Sequence, residues 1–166
     1  MKLKSAQLLF LLVPALLLPV LTVTTVEAAR PIVSTGHFST TSSVPLSTRT
    51  HGDVTISTFQ DTLSVTGILT GTVVGPVRNV VNTRTHTLTM HSRGLFTGTA
   101  NGRSGTLIVI ANGRVVGGTL MGRFTVSHGT GDLENFSGHG TFTVAPGATI
   151  GDYALTWHLS DSSDSD

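Results

Sequence analysis

The sequence predicts an all-β domain built as a small eight-stranded antiparallel barrel, with a two-sheet β-sandwich as the alternative. All 19 glycines follow residue 28, and threonine is abundant beside them; threonine favours strands and glycine favours turns. Several segments alternate apolar and polar side chains with the two-residue period of a half-buried strand. No amphipathic helix of ordinary length follows residue 30. A closed barrel is favoured because it removes the exposed edges of such a sheet.

The first 28 residues have the pattern of a secretory signal peptide. Lys2 and Lys4 precede the apolar run Leu8–Val23, and Val26-Glu27-Ala28 matches a cleavage site. We expect cleavage after Ala28, with the following residue as the near alternative. An uncleaved anchor is disfavoured because the run is interrupted by prolines and is shorter than the roughly 20 residues of a spanning helix. The prediction is a secreted or envelope protein with no membrane contact after cleavage.

The remaining chain has the size of one domain. We expect a loose N-terminal segment at 29–35, the barrel domain at 36–159, and a disordered Ser/Asp tail at 160–166. The chain has no cysteine, which excludes disulfides and thiolate metal sites. Eight arginines and eight acidic residues follow residue 28, so no basic stripe for nucleic acid and no polybasic patch for lipid is present. No cofactor is indicated.

The strands are predicted in order from alternation and from the residues that interrupt it. Gly36–Thr41 is expected as the first strand, and Ser42–Gly52 as a loop because it contains Pro45. Gly75-Pro76 is expected to end the third strand, Thr62–Val74. The other predicted strands are Asp53–Phe59, Thr83–Ser92 continuing as Leu95–Thr99 after a bend at Gly94, Thr106–Ile110, Val115–Val126, Gly140–Val144 and Asp152–Leu159.

The tetrapeptide Ala-Asn-Gly-Arg occurs twice, starting at Ala100 and at Ala111. Asn101-Gly102 and Asn112-Gly113 both suit type I′ hairpin turns, because Asn and Gly tolerate positive φ. We therefore predict a single strand between them, paired on each side. A loop is expected at Gly129–Asn135, and a turn at Pro146-Gly147.

Three glycine-containing motifs carry a family resemblance. They are Gly102–Leu107, Gly129–Leu133 running on to Phe136–Phe142, and the weaker pair Gly67 and Gly71. Their order and spacing resemble an uncharacterised family of small proteins, domain of unknown function 3224, which is similar to the eight-stranded allene oxide cyclase barrel. The resemblance covers roughly residues 36–159 and implies a fold rather than a function.

The sequence departs from that family pattern at two places. Ile68 and Thr70 stand between the early glycines, where the family usually carries acidic residues. Ile110 and Ala111 end the strand after Gly-Arg-Ser-Gly, where polar residues are frequent in the family. If those polar groups form a site in relatives, this chain lacks it.

Candidate catalytic and metal residues are sparse. The seven histidines are scattered: His86 and His91 face opposite sides of a regular strand, and only His128 and His139 flank one loop, so no metal site is predicted. Ser104 misses the Gly-x-Ser-x-Gly elbow by one residue and lacks the following helix. Asp132 and Glu134 are read as a solvated turn in preference to a glycosidase pair or a calcium site.

Two strand faces are candidates for a pocket lining. One contains His86, Leu88, Met90 and Ser92, and the other contains Tyr153, Leu155 and Trp157. The pocket candidates are His86, Leu88, Met90, Tyr153 and Trp157. An apolar wall with a few polar groups is typical of a small-molecule site, although small barrels also fill their interiors with side chains.

The leading functional hypothesis is therefore a non-catalytic barrel that binds an apolar small molecule or has a structural role. The first alternative is a cyclase or isomerase that works by shaping an apolar pocket, with His86 or Glu134 as the acid–base group. The second alternative is a homo-oligomeric structural module that associates through the outer face of the barrel.

Overall fold

Eight antiparallel strands close into a barrel in the computed structural model, which describes residues 32–160. Each strand pairs with the next along the chain, and β8 pairs with β1, so the predicted eight-stranded antiparallel barrel is confirmed. The predicted signal peptide (1–28) and the tail from residue 161 onward lie outside the described residues. The strands are β1 Ile32–His51, β2 Val54–Gly67, β3 Leu69–Asn82, β4 Thr87–Ala100, β5 Arg103–Val116, β6 Thr119–Gly131, β7 Phe136–Val144 and β8 Ile150–Leu159.

Strand β1 is longer than the sequence predicted at both ends. It begins at Ile32, inside the segment 29–35 that was expected to be loose, and it includes the predicted loop 42–52 as far as His51. Beyond Ser39 it pairs with β2 but no longer with β8, so its second half is exposed, including the apolar side chains of Val44 and Leu46. Pro45 is accommodated because a register shift follows it, and irregular positions tolerate a missing N–H.

The strand boundaries of the next hairpin were also predicted wrongly. Gly67, with φ of 107°, ends β2 at the β2–β3 turn, so the two predicted segments before it form one strand. Gly75-Pro76 lies inside β3 instead of ending it. The β3–β4 pairing omits these two residues and resumes at Val77 opposite Ser92, so the proline is not required to donate to the ladder.

Only one of the two Asn-Gly turns exists. Asn101 and Gly102 have φ of 50° and 78° and connect β4 to β5, as predicted. Asn112-Gly113 lies inside β5, and the β5–β6 turn is Gly117-Gly118, with φ of 58° and 83°. Gly113 instead provides space, because a Cβ there would lie 2.9 Å from the Phe142 ring.

Large rings inside the barrel stand directly opposite glycines on neighbouring strands. For example, Phe38 pairs with Gly151, and a Cβ on that glycine would overlap the ring. The glycine therefore leaves the room that its partner ring fills, a recognised device of curved sheets. The other pairs of this kind are Tyr153 with Gly36, Phe124 with Gly140, and Phe142 with Gly122. Trp157 also stands opposite Gly138, but the nearest Trp157 atom to an added Cβ there is its own Cβ and not the ring.

The two ends of the barrel differ. We call the end with the β1–β2, β3–β4, β5–β6 and β7–β8 turns the open end, and the opposite end the closed end. Leu133, from the β6–β7 connection, is fully buried at the closed end. Phe136 and Trp157 stack near it with ring centroids 5.2 Å apart. These side chains seal one end only. Across residues 32–160, no helical segment has the length and apolar character that crossing a membrane requires.

Replacing Gly151 by alanine tests the ring–glycine pairing. A methyl group there would fall on the Phe38 ring and 2.8 Å from Val144, so we expect a loss of about 1–3 kcal/mol in the free energy of unfolding, as for other overpacked sites. Urea denaturation measures it.

Gly113→Ala is the matched control, because Gly113 also lies inside the barrel and its closest clash is with the far end of a ring, at 2.9 Å. We expect a smaller loss for this variant. Phe38→Leu should recover part of the loss in the Gly151→Ala background, since the two side chains compete for one space. Equal stability of Gly151→Ala and the parent chain would contradict the pairing.

Candidate apolar binding site

An internal cavity of about 490 Å³ lies between the open end and the core of the barrel. Its volume is within the range of roughly 300–1,000 Å³ that is usual for small-molecule sites. Its inner end is formed by Val65, Leu69 and Tyr153, close to the β2–β3 turn. Further toward the open end the walls are mostly small or apolar, and they include Val73, Val77, Met90, Val109, Ala111 and Phe142.

Tyr153 closes the inner end of the cavity with a hydroxyl that is already fully used. The Leu69 N–H donates to it at 3.2 Å, and it donates to the Thr66 carbonyl oxygen at 3.1 Å. Burial raises the pKa of the Tyr153 hydroxyl, while the hydrogen bond from Leu69 acts in the opposite direction. The phenol therefore stays neutral at physiological pH and links β8 to the β2–β3 hairpin.

The predicted inward face of β4 is present, but His86 is not part of it. Leu88, Met90 and Ser92 point inward, and Met90 and Ser92 line the cavity, whereas Leu88 is half-buried outside the lining. His86 is exposed in the β3–β4 turn with φ of 51°. The strand starts at Thr87 because the side chain of Asn82 accepts hydrogen bonds from the next backbone N–H groups and turns the chain.

The predicted β8 face points inward as expected, but its two aromatic residues lie at different depths. Tyr153 lines the cavity. Trp157 is buried near the closed end, stacked on Phe136, and its Nε1–H donates to Ser34 Oγ at 3.1 Å. Trp157 therefore packs in the core and does not line the cavity.

The two acid–base candidates are far from each other and from the cavity lining. Glu134 is exposed in the β6–β7 connection at the closed end, whereas His86 is at the open end. The structure brings neither of them into the cavity. Among residues 32–160, no three His, Asp or Glu side chains are grouped as metal ligands would be.

Sequence reasoning missed one polar group in the cavity, Asp61. It lies inward on β2 between Phe59 and Leu63, at the point where the sequence was read as a break between two strands. The signal was available, since Phe59, Asp61, Leu63 and Val65 keep the two-residue period without interruption. The structure also adds Asn79 from β3 as a polar lining group, beside Ser92 from the predicted β4 face.

Fold and site together define a small, closed antiparallel barrel with a mostly apolar internal cavity. The chain belongs to the family described as protein of unknown function DUF3224, whose family model matches residues 34–157. This confirms the family resemblance; the further likeness to the allene oxide cyclase barrel stays a prediction. No curated protein matches the sequence.

A solved structure supports the same fold. It is the crystal structure of a protein of unknown function from the DUF3224 family of Shewanella oneidensis MR-1. The similarity has a TM-score of 0.68 at 16% sequence identity and covers 78% of this chain and 98% of that chain. At this identity the comparison shows the fold alone.

Replacing Tyr153 by phenylalanine tests the closure of the inner end. The change leaves the Leu69 N–H and the Thr66 carbonyl without their partner, so we expect a loss of about 1–3 kcal/mol in the free energy of unfolding. Urea denaturation checks it. Thr50→Val, which removes an exposed hydroxyl bonded to Thr55, serves as the control and should change stability by less than about 0.5 kcal/mol. Equal effects of the two variants would refute the role of Tyr153.

Proposed function

We propose that this barrel binds a small, largely apolar molecule in its cavity and does not transform it chemically. The observation that carries the proposal is the cavity of about 490 Å³, open at one end and walled mostly by apolar side chains. Burial of apolar surface contributes roughly 25 cal/mol per Å² to binding, so such a lining favours an apolar occupant over a polar one.

The distribution of reactive groups supports binding over catalysis. A general acid or base has to lie within hydrogen-bonding reach of the substrate. His86 and Glu134 are exposed at opposite ends of the barrel and are absent from the cavity lining. The Tyr153 hydroxyl is held by two backbone groups. The cyclase or isomerase alternative therefore has less support than passive binding, and self-association through the outer face stays a prediction.

We also propose that the protein acts outside the cytoplasm, in the envelope or as a secreted protein. The support is the N-terminal sequence, with its short basic start, its apolar run and the cleavage pattern Val26-Glu27-Ala28. The sequence has no cysteine, which is compatible with a protein inside or outside the cytoplasm and therefore does not bear on this proposal.

Binding is tested by titrating the chain with Nile red, a neutral apolar fluorophore. We expect saturable fluorescence enhancement that is lost or weakened at least tenfold in Val73→Trp, because Val73 lines the cavity and the larger side chain fills it. The control is Val74→Trp, the next residue along β3, which faces outward and is 42% exposed. Equal binding by both variants, or no saturable binding by the parent chain, would refute the cavity as a ligand site.

Export is tested by determining the N-terminus of the protein produced with its full leader in a secreting bacterial host. We expect the protein in the extracytoplasmic fraction to begin at Ala29. A variant with Ala28→Phe should accumulate uncleaved, because a bulky residue at the last position before the cut is not accepted. Recovery of the parent chain only in the cytoplasm, with its leader intact, would overturn the proposal.

A further inference from the structure

The cavity has one acidic side chain in its wall, Asp61. By the alternation of β2, Asp61 shares the inward face of Leu63 and Val65 and is nearer the open end than both. Across the sheet it stands opposite Ser43 on β1 and Gly75 on β3. Gly75 has no side chain to compete for the space beside the carboxylate.

The Asp61 carboxylate has a hydrogen-bond donor but no cationic partner within the part of the chain that is described. The Ser43 hydroxyl donates to Oδ1 at 2.5 Å. Among residues 32–160, the contacts within 4.0 Å between a carboxylate and an Arg or His nitrogen are Arg84 with Asp53 and His37 with Asp152, so no protein cation lies within 4.0 Å of Asp61.

Arg93 is the other charged residue at the cavity wall, and its side chain does not neutralise Asp61. On β4 it alternates with the inward Ser92 and Gly94, so its side chain faces the outer surface and is exposed. Its carbonyl oxygen is the atom nearest to a Cβ built on Gly75. This carbonyl lies beside Gly75, which stands opposite Asp61 on the neighbouring strand.

A partly buried carboxylate beside apolar walls attracts a positive charge more strongly than the same carboxylate in water, because the local dielectric is lower. Asn79 and Ser92, the polar lining groups from β3 and β4, also lie nearer the open end than Leu69 and Val73. The inner end of the cavity is therefore apolar, whereas toward its mouth the wall adds polar groups and one carboxylate beside apolar residues such as Met90 and Leu120.

We propose that the natural ligand is an amphipathic amine, with its apolar body in the inner cavity and its ammonium group on the Asp61 carboxylate. The inference rests on the proposed binding function and names the ligand class for the same site. The Asp61 carboxylate accepts hydrogen bonds from the ammonium group, while Ser43 holds the carboxylate in place. An acidic amphiphile, such as a fatty acid, is disfavoured by charge repulsion at the same point.

The test compares decylamine, which is protonated at neutral pH, with decanol, which has the same alkyl chain and no charge. Displacement of Nile red gives the affinity of each probe. We expect the parent chain to bind decylamine about tenfold more tightly or better, because both probes can donate a hydrogen bond to the Asp61 carboxylate but only the ammonium group adds an opposite charge. In Asp61→Asn the preference should fall to about twofold or less, mainly through weaker binding of decylamine.

Two further variants keep the test decisive. Asp61→Glu retains the charge and should retain a preference for decylamine. Asp152→Asn removes a carboxylate from the outer face, where its side chain is 72% exposed, and should leave the preference as in the parent chain. Near-ultraviolet circular dichroism of Trp157 verifies that each variant is folded.

The outcomes separate the two proposals. Equal affinities of the parent chain for decylamine and decanol, or a preference that persists in Asp61→Asn, would overturn the amine inference and leave the cavity function standing. Failure of both probes to displace bound Nile red would likewise overturn the amine inference, whereas absence of saturable Nile red binding would overturn the cavity function itself. If Asp61→Asn does not fold, the comparison of the two probes on the parent chain and on Asp61→Glu decides the inference.

Discussion

The structure depends on the placement of glycines opposite most of the large rings in one half of the barrel. A ring that covers a glycine on the neighbouring strand stays against its own wall, as Phe38 does over Gly151 and Phe124 over Gly140. A Cβ on either glycine would overlap the ring, so the ring would have to move away from its wall and toward the barrel axis. The same pairing that lets the sheet close therefore leaves the centre free, and the cavity follows from it.

The sequence predicted the elements whose signals are local. The β8 face and the Asn101-Gly102 turn were predicted correctly, because side-chain alternation and the preference of Asn-Gly for positive φ depend only on residues adjacent in the chain. The sequence placed the β5–β6 turn at Gly113, whereas the structure has it at Gly117 and Gly118. A glycine that forms a turn and a glycine that makes room for a ring cannot be distinguished in the sequence. The ring that Gly113 accommodates belongs to β7, which is distant along the chain.

The candidate site was predictable to a similar extent. Period-two reasoning placed Met90 and Tyr153 on inward faces, where they line the cavity. It placed Trp157 inward as well, but depth along the barrel depends on which end is sealed, and that is decided by Leu133 in a connection remote from β8. Asp61 was missed because a charged residue within an apolar alternation was taken as a strand end, whereas an open cavity allows it to remain partly hydrated.

The division of the interior also indicates where function can change without loss of the fold. The rings and their glycines on β6, β7, β8 and the start of β1 hold the barrel closed. The wall formed by β2, β3 and β4 faces the cavity with small residues such as Gly75 and Ser92 that support few packing contacts. The Shewanella protein has the same fold at 16% sequence identity. Closure of the barrel is therefore compatible with very different sequences. Because function resides in sites and not in folds, the ligand class that we propose rests on this wall, and above all on the position of its charge.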